Sequence, residues 1–177
     1  MLIRRTIIAT TIATLTLLGT TACNLTSPVA SMDYYAPSDG AQADLDALKA
    51  RNLMYLVVDE THSALVGSFA NSSADEITFA VKFTTKSGQS SYRQYTVAGY
   101  KVKSFGFENQ PVLDADIDIP YTKSSKEEVT YADQVGGSSV SVLVYTNNDQ
   151  AEINVPVMTQ TENVRTYDQL FQRIAKN

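Results

Sequence analysis

The chain of 177 residues carries 19 acidic against 14 basic side chains and one histidine, a formal net charge of −5, and contains a single cysteine. That length suits one domain with a modest core rather than two. The acidic balance disfavours phosphate backbones, so nucleic acid is not an expected partner, and the lone cysteine excludes a disulfide within the chain.

Arg4 and Arg5 form a basic start, and Thr6 to Ala22 is uncharged, the pattern of an export signal. This run is rich in threonine and shorter than the roughly 20 strongly apolar residues that a transmembrane helix needs. It closes on Leu17-Leu18-Gly19-Thr20-Thr21-Ala22-Cys23, which resembles a bacterial lipobox. Small residues at Thr21 and Ala22 suit the peptidase, and Thr20 stands where the pattern more often has leucine. The resemblance implies cleavage before Cys23, a diacylglycerol thioether on its sulfur and acylation of the freed amine. Two or three acyl chains anchor stably where one does not. Residues 1–22 are thus expected to be a signal peptide, and the protein to sit lipid-anchored on the extracytoplasmic face of the cell membrane. Loss of Arg4 and Arg5 leaves 12 basic against 19 acidic residues, a net charge near −7 for the mature chain.

From Asn24 to about Gly40 the composition is small, polar and turn-prone (Thr26-Ser27-Pro28, Ala36-Pro37-Ser38-Asp39-Gly40), as in a flexible leash. The lipidated tether is set at 23–42 and the domain at 43–177. Tyr34 and Tyr35 interrupt the leash and are candidates either for packing on the domain or for touching a partner.

Ala47 to Val58 has branched and aromatic residues without helix caps, which predicts one long strand or two broken near Arg51-Asn52. Asp59 to Ser63 is a polar turn. Strands are expected at Ala64–Ala70, with Val66 and Phe69 in the core, and at Glu76–Phe83, where Ile77, Phe79, Val81 and Phe83 alternate with polar or small residues. Tyr92–Ala98 and Lys101–Phe107 follow, separated by Gly99. In Val112–Ile119, Leu113, Ala115, Ile117 and Ile119 face one way and Asp114, Asp116 and Asp118 the other. A short strand is expected at Val129–Tyr131. Val140–Thr146 and Ala151–Met158 form a hairpin through Asn147-Asn148-Asp149-Gln150. The chain ends in a helix over about 166–176, capped by Thr166, with Tyr167, Leu170, Phe171 and Ile174 on one stripe. Short strands with turns every 8 to 12 residues predict an all-β, Greek-key β-sandwich of immunoglobulin or cupredoxin type with a short C-terminal helix.

Tyr35-Ala36-Pro37-Ser38-Asp39-Gly40, Ala50-Arg51-Asn52-Leu53, Leu65 to Ser73 and Val155-Pro156-Val157-Met158 together resemble the LpqE-like lipoproteins of actinobacteria. That family is similar in fold to periplasmic copper chaperones of the CuA-delivery type. The resemblance implies the outer face of an actinobacterial membrane and a role as an accessory subunit of the bcc-aa3 respiratory supercomplex.

A chaperone-type copper site gathers several histidines and methionines, since Cu(I) prefers soft thioether and imidazole donors. Here His62, Met54 and Met158 are the only conceivable ligands, Met54 and Met158 lie in strand patterns that packing explains, and no cofactor is expected. The carboxylates of Asp114, Asp116 and Asp118 would recur roughly 7 Å apart along a strand, a poor cage for calcium and either a solvated face or a docking stripe for a basic partner. With one histidine and an acylated cysteine, the usual nucleophile–base arrangements are missing, and an enzyme is not expected. The ten tyrosines offer contact area at low entropic cost. The function read from the sequence is a non-catalytic accessory or scaffold lipoprotein docking on a membrane protein complex. A copper metallochaperone or small-ligand carrier, and a cell-envelope binding protein, are the alternatives.

Overall fold

A computed structural model describes residues 39–106, 110–120, 130–160 and 167–176. Among these described residues, nine strands and two short helices are ordered β1 (Ala41–Leu45), β2 (Leu48–Val57), β3 (Ser63–Asn71), β4 (Ile77–Thr84), β5 (Ser90–Val97), β6 (Val102–Phe105), β7 (Leu113–Asp114), α1 (Tyr131–Val135), β8 (Ser139–Thr146), β9 (Gln150–Thr159) and α2 (Asp168–Ile174). They make one curled sheet in the order β5-β4-β8-β9-β2-β3-β6, with β1 on β2 and β7 on β3. Every pairing is antiparallel except β2 with β9, which is parallel at Tyr55↔Val157 to Val57↔Thr159. The protein is an all-β, sandwich-like fold with a short C-terminal helix.

Where one face of a strand meets solvent, burial follows the period of two. Phe79, Val81 and Phe83 of β4, Val140, Val142 and Val144 of β8, and Ile153, Val155 and Val157 of β9 all enter the inner core. Strands β2 and β3 are buried on both faces, because α2 lies over their outer side. Met54 and Leu56 of β2 and Ala64 and Val66 of β3 pack there with Leu170, Phe171 and Ile174 of α2. The helix is further held by Arg173, whose guanidinium donates to the carbonyl of Gly106.

A bulge makes the two cores compatible. Asn52 has φ of +53°, and the register passes from Arg51↔Ser68 to Met54↔Val66, three residues against two. The inward set therefore changes from Leu48 and Ala50 to Leu53, Tyr55 and Val57. Gly67 faces this bulge, where a Cβ would collide with Leu53 Cδ2. The break expected near Arg51-Asn52 is thus a kink inside one continuous strand.

The curl brings edge strands β5 and β6 toward each other, and four rings close the gap. Phe69 and Phe79 lie 4.5 Å apart, Phe79 and Tyr95 5.7 Å, and Tyr95 and Phe105 4.9 Å. The ammonium of Lys103 sits 5.7 Å from the centre of the Tyr95 ring. Charged residues at the inward positions of edge strands discourage edge-to-edge pairing between molecules.

Four expectations change. β1 begins at Ala41, before the expected domain start at 43, and the amide of Gly40 donates to Asn52 Oδ1 at 3.1 Å. In 112–119 only Leu113–Asp114 is a strand, with an isolated bridge between Thr85 and Ile117. Leu113, Ala115, Ile117 and Ile119 are nevertheless all buried, because the extended chain keeps its alternation, its polar groups shared between the Tyr55 hydroxyl, which takes Ala115 O and the Ile117 amide, and the end of β4 with the turn after it, where the Asp118 amide donates to Thr84 O and the Lys86 amide to Asp116 O. Tyr131, expected to end a strand, starts α1 instead, since Thr130 and Asp133 cap each other reciprocally and nucleate a helical turn. Finally, α2 begins after Tyr167, which makes no side-chain capping bond. The expected cap Thr166 lies outside the described residues.

Candidate functional site

At one end of the sandwich a single buried amide joins the β3–β4 turn to the end of β5 and the turn that follows it. Asn71, 4% exposed at the end of β3, donates through Nδ2 to the carbonyls of Asp75, Val97 and Ala98 at 2.7, 3.2 and 3.3 Å. Its Oδ1 accepts from the amide and hydroxyl of Ser73 at 2.8 and 2.7 Å. The amide of Ser72 reaches Ala47 O and that of Tyr100 reaches Ser73 O, both at 2.9 Å. The β1–β2, β3–β4 and β5–β6 turns are thereby locked together.

Beside them opens a cleft of about 300 Å³ lined by Asp46, Ser73, Asp75, Glu76, Thr78 and the Asn147-Asn148 turn, among others. Its lining has carboxylates, carboxamides and hydroxyls but no histidine, cysteine, lysine or arginine. Such a surface accepts hydrogen bonds and favours cationic or polar groups. Among the described residues no three His, Cys, Asp or Glu side chains converge closely enough to hold a metal ion. Sequence reasoning missed this cleft, because its residues come from separate turns; the turn-forming runs themselves were visible.

The copper-ligand candidates divide. Met54 is fully buried and Met158 half-buried in the same apolar cluster under α2, where Met158 pairs across from Leu56. His62 lies instead in the turn between β2 and β3, its Nδ1 2.9 Å from the Asp59 carboxylate. Asp59 also accepts from the amides of Thr61 and His62 and the hydroxyl of Thr61, at 2.8 to 2.9 Å. These bonds, led by the Thr61 amide, hold the Asp59 carboxyl well below the usual carboxylate range. The imidazole is a member of a self-contained turn.

Of the acidic residues singled out, Asp116 and Asp118 are exposed, and Asp116 is paired with Lys86 at 3.3 Å. The same ammonium donates to Glu60 O and lies 5.6 Å from the centre of the Tyr131 ring. Lys86 therefore ties the β2–β3 turn, the 115–118 segment and α1 to the β4–β5 turn. Asp114 pairs with Ala64 through the backbone. The pairing of Asp116 leaves less free charge in the stripe than the sequence suggests. Cys23, Tyr34 and Tyr35 lie outside the described residues. At the entry to the domain, the Tyr167 hydroxyl donates to Asp39 at 2.9 Å, and burial followed by this carboxylate raises the phenol pKa.

Fold and site together define an all-β sandwich-like protein with a polar cleft at its turn end and a helix sealing one outer face. No protein-family model matches the chain, and no curated protein matches it.

Proposed function

We propose that the protein is a non-catalytic lipoprotein, anchored through Cys23 on the extracytoplasmic face of the membrane, whose β-sandwich serves as an accessory or scaffold subunit of a membrane protein complex. The observation that carries this is Leu17 to Cys23, a lipobox-like stretch ending on the only cysteine of the chain. The acyl anchor would raise the effective concentration of the domain near membrane partners, so that weak contacts suffice. The resemblance to LpqE-like lipoproteins makes the bcc-aa3 respiratory supercomplex the partner to test. The packing of Met54 beneath α2 gives the alternative of a copper carrier no support.

Labelled palmitate should enter the wild-type chain and be lost in Cys23→Ser; equal labelling of both would sink the anchor. Crosslinking in native membranes should recover membrane-complex subunits, and recovery of wall polymer instead would replace the scaffold role with envelope binding.

A further inference from the structure

Strand β5 ends the sheet and, among the described residues, pairs with β4 alone. Which of its backbone groups point outward follows from the register. The Thr85 amide donates to Gln89 O at 2.8 Å, so the odd-numbered residues of β5 exchange hydrogen bonds with β4, through Val81↔Arg93 and Phe79↔Tyr95. The amides and carbonyls of Ser90, Tyr92, Gln94 and Thr96 therefore point away from the sheet. The strand runs for 8 residues without proline, glycine or a shift of register, a length of open edge that proteins ordinarily blunt. Here the blunting residue is Arg93. Its side chain lies on the inward face, opposite Val81, and is exposed. Its Nη1 donates to Ser91 Oγ at 3.2 Å and to the outward carbonyl of Tyr92 at 3.3 Å, and it makes no ion pair with a carboxylate among the described residues. Lys103 brings a second cation to the same inward side, 5.7 Å from the centre of the Tyr95 ring. From Ile77 to Val97 there is no aspartate or glutamate.

We propose that the open edge of β5 takes up an extended segment of a partner protein that carries a carboxylate opposite Arg93. The added strand pairs with the outward groups of Tyr92 and Gln94, so that main-chain bonds give affinity and alternate side chains give specificity. The residue opposite Arg93 shares its inward face, beside Lys103, where aspartate or glutamate makes a charge-assisted bond and lysine or arginine is repelled. On the other face Tyr92, 62% exposed and next to Lys82, offers its ring to the neighbouring side chains of the added strand. Glu76 adjoins the Val97 end of β5 through the Ile77↔Val97 pair, so the preference for an anion belongs to the middle of the strand. A second copy of this chain fits worse: antiparallel pairing of β5 with itself, centred on Tyr92, Arg93 or Gln94, sets the two Arg93 side chains opposite or diagonal on one face, and like charges there destabilise. The charge that refuses a copy thus selects an acidic strand. This deepens the scaffold reading by giving its partner a chemistry, and rests on that reading for the partner's place in a membrane complex.

The full chain is mixed with a short blocked peptide of alternating threonine and valine in which glutamate replaces the central valine, and with its twin carrying glutamine there. The expected result is slower hydrogen exchange at the amides of Tyr92 and Gln94, with those of Arg93 and Tyr95, already bonded to β4, unchanged. The glutamine twin should bind about 10-fold more weakly, and Arg93→Gln should remove the difference between the two peptides. Gln94→Pro deletes an outward N–H that β4 does not use and should abolish binding without lowering the melting transition to that of an unfolded chain. Exchange that is unchanged or slowed at every residue of β5, equal binding of the two peptides, or full binding by a folded Gln94→Pro overturns the proposal. Should Gln94→Pro unfold, the exchange pattern and the glutamine twin decide. Alternating protection that rises with protein concentration in the absence of peptide assigns the edge to a second copy and overturns the proposal, as does tighter binding of a peptide of residues 24–38, which assigns it to the chain's own tether. The peptide assay needs no lipid, so palmitate labelling scores the anchor separately: an unlabelled chain that binds the peptide refutes the anchor alone, and a labelled chain that does not bind it refutes the docking alone.

Discussion

Replacing Tyr55 with phenylalanine removes one oxygen and leaves the ring, which isolates a polar contribution from a packing one. Tyr55 is 0% exposed. Its hydroxyl donates to Ala115 O at 2.8 Å, accepts from the Ile117 amide at 3.1 Å and lies 2.6 Å from Ser63 Oγ. One phenol thus takes two buried backbone groups of the segment that follows β7, while Thr84 and Lys86 hold the backbone of Asp118 and Asp116. Without it, the buried Ala115 carbonyl and Ile117 amide lose their partner, at about 1–3 kcal/mol for each group left unsatisfied, while half-buried Ser63 turns to water. Partial relaxation of the segment brings the expected loss to roughly 2–4 kcal/mol, or a melting point lower by about 5–12 °C for a chain of this size. Urea unfolding of the full chain measures the first quantity, and hydrogen exchange at the Ile117 amide reports whether the damage is local. A loss below about 0.5 kcal/mol, the ordinary range of a neutral substitution, together with unchanged exchange at Ile117, would refute the idea that the phenol holds this segment.

Asn71→Ala removes the amide that joins the β3–β4 and β5–β6 turns and is expected to cost about 2–4 kcal/mol, with amide shifts at Ser73, Asp75 and Ala98; shifts confined to residue 71 and its chain neighbours would contradict that role. Gly67→Ala places a methyl against Leu53 opposite the bulge and should destabilise by about 1–3 kcal/mol, which thermal melting tests; a neutral result would mean the bulge yields. Because the Asp59 carboxyl is depressed in the folded state, its contribution is present above the unfolded value near 3.9 and declines as pH falls toward the folded value. Asp59→Asn should therefore flatten part of the stability loss below about pH 4, and an acid limb identical to wild type would show that the turn contributes nothing.

The elements legible beforehand are those whose environment is uniform along their length. β4, β8 and β9 each have one dry and one wet face, so their side chains alternate. The apolar stripe of α2 recurs at helical spacing for the same reason. The cleft was not legible, because Asp46, Asp75 and Asn147 belong to three turns that only the folded sheet brings together. The Asp114, Asp116 and Asp118 pattern was visible as a pattern, but the ion pair that neutralises Asp116 depends on Lys86, thirty positions away in sequence.

Local order of residues determined by itself the all-β class, the C-terminal helix and most strand positions, since alternation and turn chemistry act within a few residues. Tertiary structure alone decided the rest. The two-sided burial of β2, its parallel alignment with β9, the inversion of its inward face at Asn52 and the four-ring closure between β5 and β6 all depend on partners far along the chain. A strand carries no mark of which distant strand it meets. One extra residue at a bulge is enough to exchange which side chains face the core.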